Sequence, residues 1–122
     1  MPYRVYLAAR YGRRDELNGY RQRLHGDGFE VTSHWLTADP PSPIAELTDA
    51  HDIRRADALV AFAEEAEGGG GGRHVELGIA LGKLVIVLGR PEHLFHRLPQ
   101  VRVALDWDDA PATLREAASR AG

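Results

Sequence analysis

A glutamate that follows a run of glycines is the most suggestive chemical group in this sequence. Glu76 comes shortly after the tract GGGGG at 68–72, in the first turn of a predicted helix. There the free backbone amides and the helix dipole favour an ionised carboxylate. Such a carboxylate can attack an electrophilic carbon, for example the anomeric carbon of a sugar. An acidic residue in a first helical turn also stabilises the helix by itself, so both interpretations stand at this point.

The glycine tract favours a ligand-binding loop over a plain surface turn. Glycine lets a ligand approach the backbone closely, which a solvated surface helix does not require. The tract lacks the Lys-Ser/Thr pair of a P-loop, so it does not predict a Walker-type phosphate site. The expected role is therefore that of a wall beside Glu76.

Three other side chains have both a chemical and a structural interpretation. The Tyr6 hydroxyl can orient the Glu76 carboxylate, or the ring can belong to the core. Asp49 can give a proton to a leaving base if its carboxyl group faces the same cleft. The indole of Trp35 can stack on a planar ring or pack in the core. Three arginines, Arg10, Arg13 and Arg14, lie where the first helix begins and are either anion contacts or solvated.

The elements that position these groups alternate regularly along the chain. Short apolar runs predict five strands, at 3–9, 29–35, 58–62, 84–88 and 101–105. Amphipathic or capped segments predict five helices, at 13–25, 42–55, 73–81, 92–98 and 110–121. Strict alternation predicts an α/β, flavodoxin-like three-layer sandwich with a five-stranded parallel sheet of order 2-1-3-4-5. We expect residues 1–122 to form a single domain.

This topology brings the loops after the first and third strands together. In open parallel sheets, ligands bind at the carboxyl ends of the strands, where the winding reverses. The first loop carries Ala8, Ala9 and Arg10, and the second carries the glycine tract and Glu76. The candidate site is therefore expected at this edge.

Composition excludes several classes of function. The net charge of -3 gives no basic field for duplex nucleic acid, and the absence of cysteine excludes thiolate chemistry and Cys-ligated zinc. The six histidines lack a metal-ligand spacing, so no metal and no cofactor is expected. The apolar run near the start is too short for a signal or membrane segment. A cytoplasmic protein that does not interact with membranes is the expectation.

Three segments together resemble a known family. They are YLAA at Tyr6–Ala9, DAHDIRRADALV at Asp49–Val60 and GRHVELGIALGK at Gly72–Lys83, the last followed by the apolar LVIVL. In this order and spacing they resemble the nucleoside 2-deoxyribosyltransferase family, including its nucleoside 5'-monophosphate N-glycosidase relatives. The family position six residues before the glutamate usually holds Asp or Ser, and here it is Gly70.

The resemblance implies cleavage of the N-glycosidic bond of a nucleoside or nucleotide, by transfer or hydrolysis. Glu76 would form a covalent glycosyl intermediate, Tyr6 would orient it, and Asp49 would contact and protonate the base. The residues expected to contact the small-molecule substrate are Ala8, Ala9, Arg10, Trp35, Asp52, Gly70, Gly72 and Arg73. A homodimer or higher homo-oligomer is also expected. Two alternatives stay open: a non-catalytic nucleotide-binding or sensing module, and a glutamate-dependent NAD-type glycohydrolase.

Overall fold

The sheet is built from the short apolar runs seen in the sequence. The computed structural model describes residues 2–9, 11–38, 43–62, 77–88, 100–104 and 106–121. The strands are β1 (Arg4–Ala8), β2 (Glu30–Val31), β3 (Ala58–Phe62), β4 (Leu84–Leu88) and β5 (Val101–Ala104). The helices are α1 (Arg14–Gly26), α2 (Ala45–Arg55) and α3 (Asp109–Ala121), with 3-10 turns at Tyr11–Arg13 and His34–Thr37 and a helical segment at 77–80.

All strand pairs are parallel, and the order is β2-β1-β3-β4-β5. The predicted fold class and strand order are therefore confirmed. In the centre of the sheet, Tyr6 pairs with Leu59, and Leu59 pairs with Val85. Consecutive parallel strands must be joined by a crossover connection, which is usually a helix. This explains why helices alternate with strands along the chain.

Two apolar layers cover the sheet because its inner strands are hydrophobic on both sides. On one side, Leu7, Val60 and Ile86 pack with Leu17 of α1 and Leu114 of α3. We call this side the α1 face. On the other side, which we call the α2 face, the buried cluster consists of Tyr6, Ala8, Ile53, Ala56, Leu59, Ala61, Val85, Val87 and Val101. Successive residues of each strand alternate between the two faces.

The second strand is much shorter than predicted. Alternation predicted a strand at 29–35, whereas β2 contains only Glu30 and Val31. Beyond it, the Ser33 Oγ accepts a hydrogen bond from the Leu7 N–H (2.7 Å) and donates one to the Leu7 carbonyl (3.3 Å). The Trp35 Nε1 donates to the same carbonyl at 2.8 Å. Side chains thus replace the main-chain ladder here, and the backbone is free to turn into the 3-10 helix His34–Thr37.

The end of α1 agrees with the sequence-based prediction, whereas the start of α2 requires a correction. As predicted, α1 stops at a glycine-containing turn, in which Gly28 has a φ of 90° that favours glycine. The second helix was predicted from position 42, but α2 begins at Ala45, because residues 43–44 form a turn. The predicted helix at 92–98 and the first half of the one at 73–81 lie outside the described residues.

Within the described residues, every helix is too short or too polar to cross a lipid bilayer.

Candidate functional site

The winding of the sheet reverses between β1 and β3. The chain passes from β1 to β2 through α1 on one face, and from β2 to β3 through α2 on the other face. A crevice at the carboxyl ends of β1 and β3 is the usual ligand site in such a sheet. The described segments at this edge are the ends of β1 and β3, the turn Tyr11–Arg13 and the turn His34–Thr37.

Tyr6 lies on the α2 face and has no exposed surface. Its ring belongs to a buried cluster with Ile53 of α2 and Leu59 of β3. Leu77, the residue that follows Glu76 in the sequence, packs against the same cluster. Leu77 is therefore anchored on the α2 face, whereas Glu76 itself lies outside the described residues.

Asp49 is a buried carboxyl group on α2, with 9% of its surface exposed. It lies one helical turn before Ile53, which packs in the cluster that contains Tyr6. Because α2 connects two parallel strands, it runs back from the carboxyl edge of the sheet, so Asp49 is closer to that edge than Ile53. Tyr6 and Asp49 thus share the α2 face, and Asp49 lies on its crevice side.

Trp35 is half-buried at the end of β1. Its Nε1 donates to the Leu7 carbonyl at 2.8 Å, and its ring packs against the apolar clusters of both faces. The hydrogen bond fixes the direction of the indole, which is thereby held at the carboxyl edge. Stacking on a substrate ring stays a prediction.

Asp52 is fully buried, and both its carboxylate oxygens face His34. The Oδ2 accepts from the His34 backbone N–H at 2.9 Å, and the Oδ1 lies 2.7 Å from the His34 Nδ1. The Arg55 Nη1 is 3.8 Å from the same Oδ1. The Asp52 carboxylate is therefore engaged inside the protein, while the His34 side chain is 62% exposed. A direct substrate contact of Asp52 stays a prediction.

His34 was missed by sequence analysis. It lies 18 residues before Asp52, and no helical or strand period links positions that far apart. The signal that was present is compositional: a histidine directly before the tryptophan that was expected to contact a ring.

A second polar cluster fixes the end of β3. The Arg13 guanidinium lies over the ring of Phe62 at 3.6 Å from its centroid, and it donates two hydrogen bonds to Glu16, at 2.9 and 2.8 Å. The Tyr20 hydroxyl donates to Glu16 at 3.0 Å, and its ring stacks on Trp107 with centroids 4.2 Å apart. This cluster holds Phe62, the last residue of β3 before the glycine-containing segment.

The contacts of this cluster shift two ionisation equilibria. The hydrogen bonds from Arg13 lower the pKa of Glu16 below its ordinary value, because they stabilise the carboxylate. Burial raises the pKa of Tyr20, and the hydrogen bond to Glu16 raises it further. Both shifts favour the forms that pair in the structure, an ionised Glu16 and a neutral Tyr20.

The two described arginines at the start of α1 hold protein groups. Arg13 is paired with Glu16, and the Arg14 Nη1 donates to the Ala38 carbonyl at 2.6 Å. Asn18 reinforces this link through a 2.8 Å bond from its Nδ2 to the Leu36 carbonyl. Arg14 and Asn18 therefore tie the His34–Thr37 turn to α1.

The remaining predicted contacts divide into two groups. Ala8 is buried and Ala9 half-buried at the end of β1, so any contact they make with a ligand at this edge involves the backbone or a methyl group. Five predicted residues lie outside the described part of the chain: Arg10, Gly70, Gly72, Arg73 and Glu76. Among the residues that the structure describes, no group of three or more His, Asp or Glu side chains is arranged to hold a metal ion.

Comparison with known proteins gives a match at the level of structure. No protein-family model matches this sequence, and no curated protein matches it either. One of the solved structures that resemble the chain is that of a CMP N-glycosidase, BcmB, from Clostridium botulinum. The likeness covers 94% of this chain and 98% of that chain, with a TM-score of 0.66 and 21% sequence identity. The two proteins share a fold over almost their whole lengths.

Proposed function

We propose that this protein cleaves the N-glycosidic bond of a nucleoside, a deoxynucleoside or a nucleoside 5'-monophosphate. The observation that supports the proposal is that Tyr6 and Leu77, the sequence neighbour of Glu76, belong to one apolar cluster on the α2 face, while Asp49 is buried on α2 itself. The family resemblance implies that Tyr6, Asp49 and Glu76 act together, and this placement is compatible with that expectation. The fold shared with an enzyme named for cleavage of CMP supports the same reaction class.

In the proposed reaction, the Glu76 carboxylate attacks C1' of the sugar. A glycosyl ester bond forms, the C1'–N bond breaks, and its electron pair passes to the base nitrogen. Asp49 gives a proton to the departing base, because a neutral base is the better leaving group. A water molecule or a second base then attacks C1' and releases Glu76. Two displacements replace one difficult step, which is the advantage of a carboxylate nucleophile.

The other residues act on orientation. Tyr6 is a positioning residue, since its buried hydroxyl is suited to direct the Glu76 carboxylate towards C1'. Trp35 supplies an indole at the crevice on which a base can stack. The backbone of the glycine tract provides close approach for the sugar.

The test is to incubate the protein with a panel of nucleosides, nucleoside monophosphates and NAD. The free base that is released is measured by chromatography. We expect base from at least one of the first two groups. Glu76→Gln should reduce turnover by several orders of magnitude while ligand binding is largely kept, because the nucleophile is lost. A covalent adduct on Glu76 should be visible by mass spectrometry of the rapidly quenched wild-type protein.

Glu116→Gln is the matched control, since Glu116 is exposed on α3 and pairs with Arg120. It should leave turnover unchanged. Full turnover in Glu76→Gln would refute the mechanism. Base release from NAD alone would identify a glycohydrolase, and ligand binding without any base release would identify a binding module.

A further inference from the structure

The pair formed by His34 and Asp52 combines a fixed buried group with an accessible one. Asp52 has no exposed surface, whereas the His34 side chain is 62% exposed. His34 begins the 3-10 turn beyond the end of β2 that also carries Trp35, and Asp52 lies in the last turn of α2. The proposed reaction uses neither residue, so the arrangement calls for its own explanation.

The contacts of Asp52 determine which ring nitrogen of His34 carries a proton. The His34 backbone N–H and the Arg55 guanidinium can only donate, so the carboxylate oxygens act as acceptors. The Nδ1, at 2.7 Å from the Oδ1, must therefore be the protonated nitrogen. In the neutral ring, Nε2 then has a free lone pair and accepts hydrogen bonds.

The position of His34 suggests which hydrogen-bond donor its Nε2 accepts from. The next residue, Trp35, is the proposed stacking platform for the base, and its indole is fixed by the Leu7 carbonyl. A hydrogen-bonding group beside a stacking platform faces the edge of the stacked ring rather than its plane. The edges of the common bases differ at this point, because cytosine and adenine carry an exocyclic amine where uracil and hypoxanthine carry a carbonyl.

We propose that His34 selects substrates whose base carries an exocyclic amine, and that Asp52 is the positioning residue that makes this selection possible. The inference rests on the proposed function, since it names the substrate class of the same site. The amine donates to the Nε2 of His34. A carbonyl at that position is an acceptor, as Nε2 is, so the base and His34 cannot form this hydrogen bond.

The test compares base release from CMP and UMP, and from AMP and IMP, at about pH 8, where imidazole is ordinarily neutral. We expect kcat/KM to favour the amino substrate of at least one pair by about tenfold, the equivalent of one neutral hydrogen bond. Asp52→Asn should reduce or reverse that preference. Its amide oxygen can still accept from the His34 backbone, but its NH2 group donates to Nδ1 and moves the ring proton to Nε2.

Two further variants separate selection from folding. His34→Phe keeps an aromatic ring without a hydrogen bond, and it should bring the ratio within each pair close to one. His51→Gln is the matched control, because His51 is an exposed histidine next to Asp52 on the same helix, and it should keep the wild-type ratio. Nitrogen-15 NMR of the ring should show an Nδ1–H tautomer in the wild type and an Nε2–H tautomer in Asp52→Asn.

The failure of this inference is distinguishable from failure of the proposed function. If the wild type releases no base, binding of the four nucleotides by calorimetry replaces turnover, and the same preference for amino bases is expected. An unchanged ratio in both His34→Phe and a folded Asp52→Asn would overturn the inference while leaving glycosidic cleavage intact. A wild type without preference within either pair would overturn it as well.

Discussion

At the scale of single residues, Tyr6 is a polar side chain placed where an apolar one would pack. Its ring has no exposed surface and is surrounded by the cluster of the α2 face. A phenylalanine would fill the same volume, so the hydroxyl contributes little to packing. We proposed that the hydroxyl orients the Glu76 carboxylate, and this role stays a prediction.

Tyr6→Phe tests this role. We expect a drop in kcat of about ten- to a hundredfold with KM nearly unchanged, because orientation is removed and the nucleophile is kept. The melting temperature should stay close to that of the wild type, since the ring volume is conserved. Steady-state kinetics and thermal unfolding measure both quantities. Activity equal to wild type would return Tyr6 to a purely structural role.

At the scale of elements, sequence prediction is accurate where a local pattern determines the structure, and it fails where a distant contact determines it. The strands β3 and β4 have the predicted bounds, 58–62 and 84–88, because a continuous apolar run buried on both faces is itself the cause of the strand. The strand at 29–35 failed because Ser33 and Trp35 bond to Leu7, more than 25 residues away. The pairing of His34 with Asp52 was invisible for the same reason.

The cluster of Arg13, Glu16 and Phe62 joins α1 to the end of β3. Its contribution to stability depends on pH, and the direction of that dependence is defined. The folded-state pKa of Glu16 is lowered by the hydrogen bonds from Arg13, so its stabilising effect is present above the ordinary value of 4.5 and is lost as the pH falls through the lowered pKa. Glu16→Gln should therefore lower the melting temperature at about pH 7, and the difference from wild type should be smaller at about pH 3. Thermal unfolding at both pH values measures this.

The exposed ion pair of Arg120 with Glu116 provides the comparison for that experiment. Surface pairs contribute little, so Glu116→Gln should change the melting temperature only slightly at either pH. A difference between Glu16→Gln and wild type that is equally large at both pH values would show that the effect comes from packing rather than from the charge.

At the scale of the whole molecule, the fold followed from the alternation of elements, whereas the oligomeric state stays a prediction. The order β2-β1-β3-β4-β5 agrees with the prediction, since parallel strands with short connections leave few topologies. The candidate site was predicted as a location, the edge where β1 and β3 end, and this stays a prediction. Contacts such as that of Asp52 with His34 could not be predicted, because burial creates them and no local pattern encodes them.

The predicted homo-oligomer is a property of the same scale. Among the residues that the structure describes, four large apolar side chains are more than 40% exposed, namely Ile44, Leu47, Leu81 and Val103. A second copy of the chain would remove such surface from water. We expect light scattering during gel filtration to give a mass of about twice the 13.4 kDa of one chain, or a higher multiple. A mass of one chain at all tested concentrations would contradict the expectation.

The short second strand has a consequence for solubility. An edge with unpaired main-chain groups is a template on which strands of other molecules can add and start aggregates. The Leu7 amide and carbonyl, which β2 does not reach, are already bonded to Ser33 and Trp35. Intermolecular strand addition is thus blocked at the point where β1 extends past its neighbour.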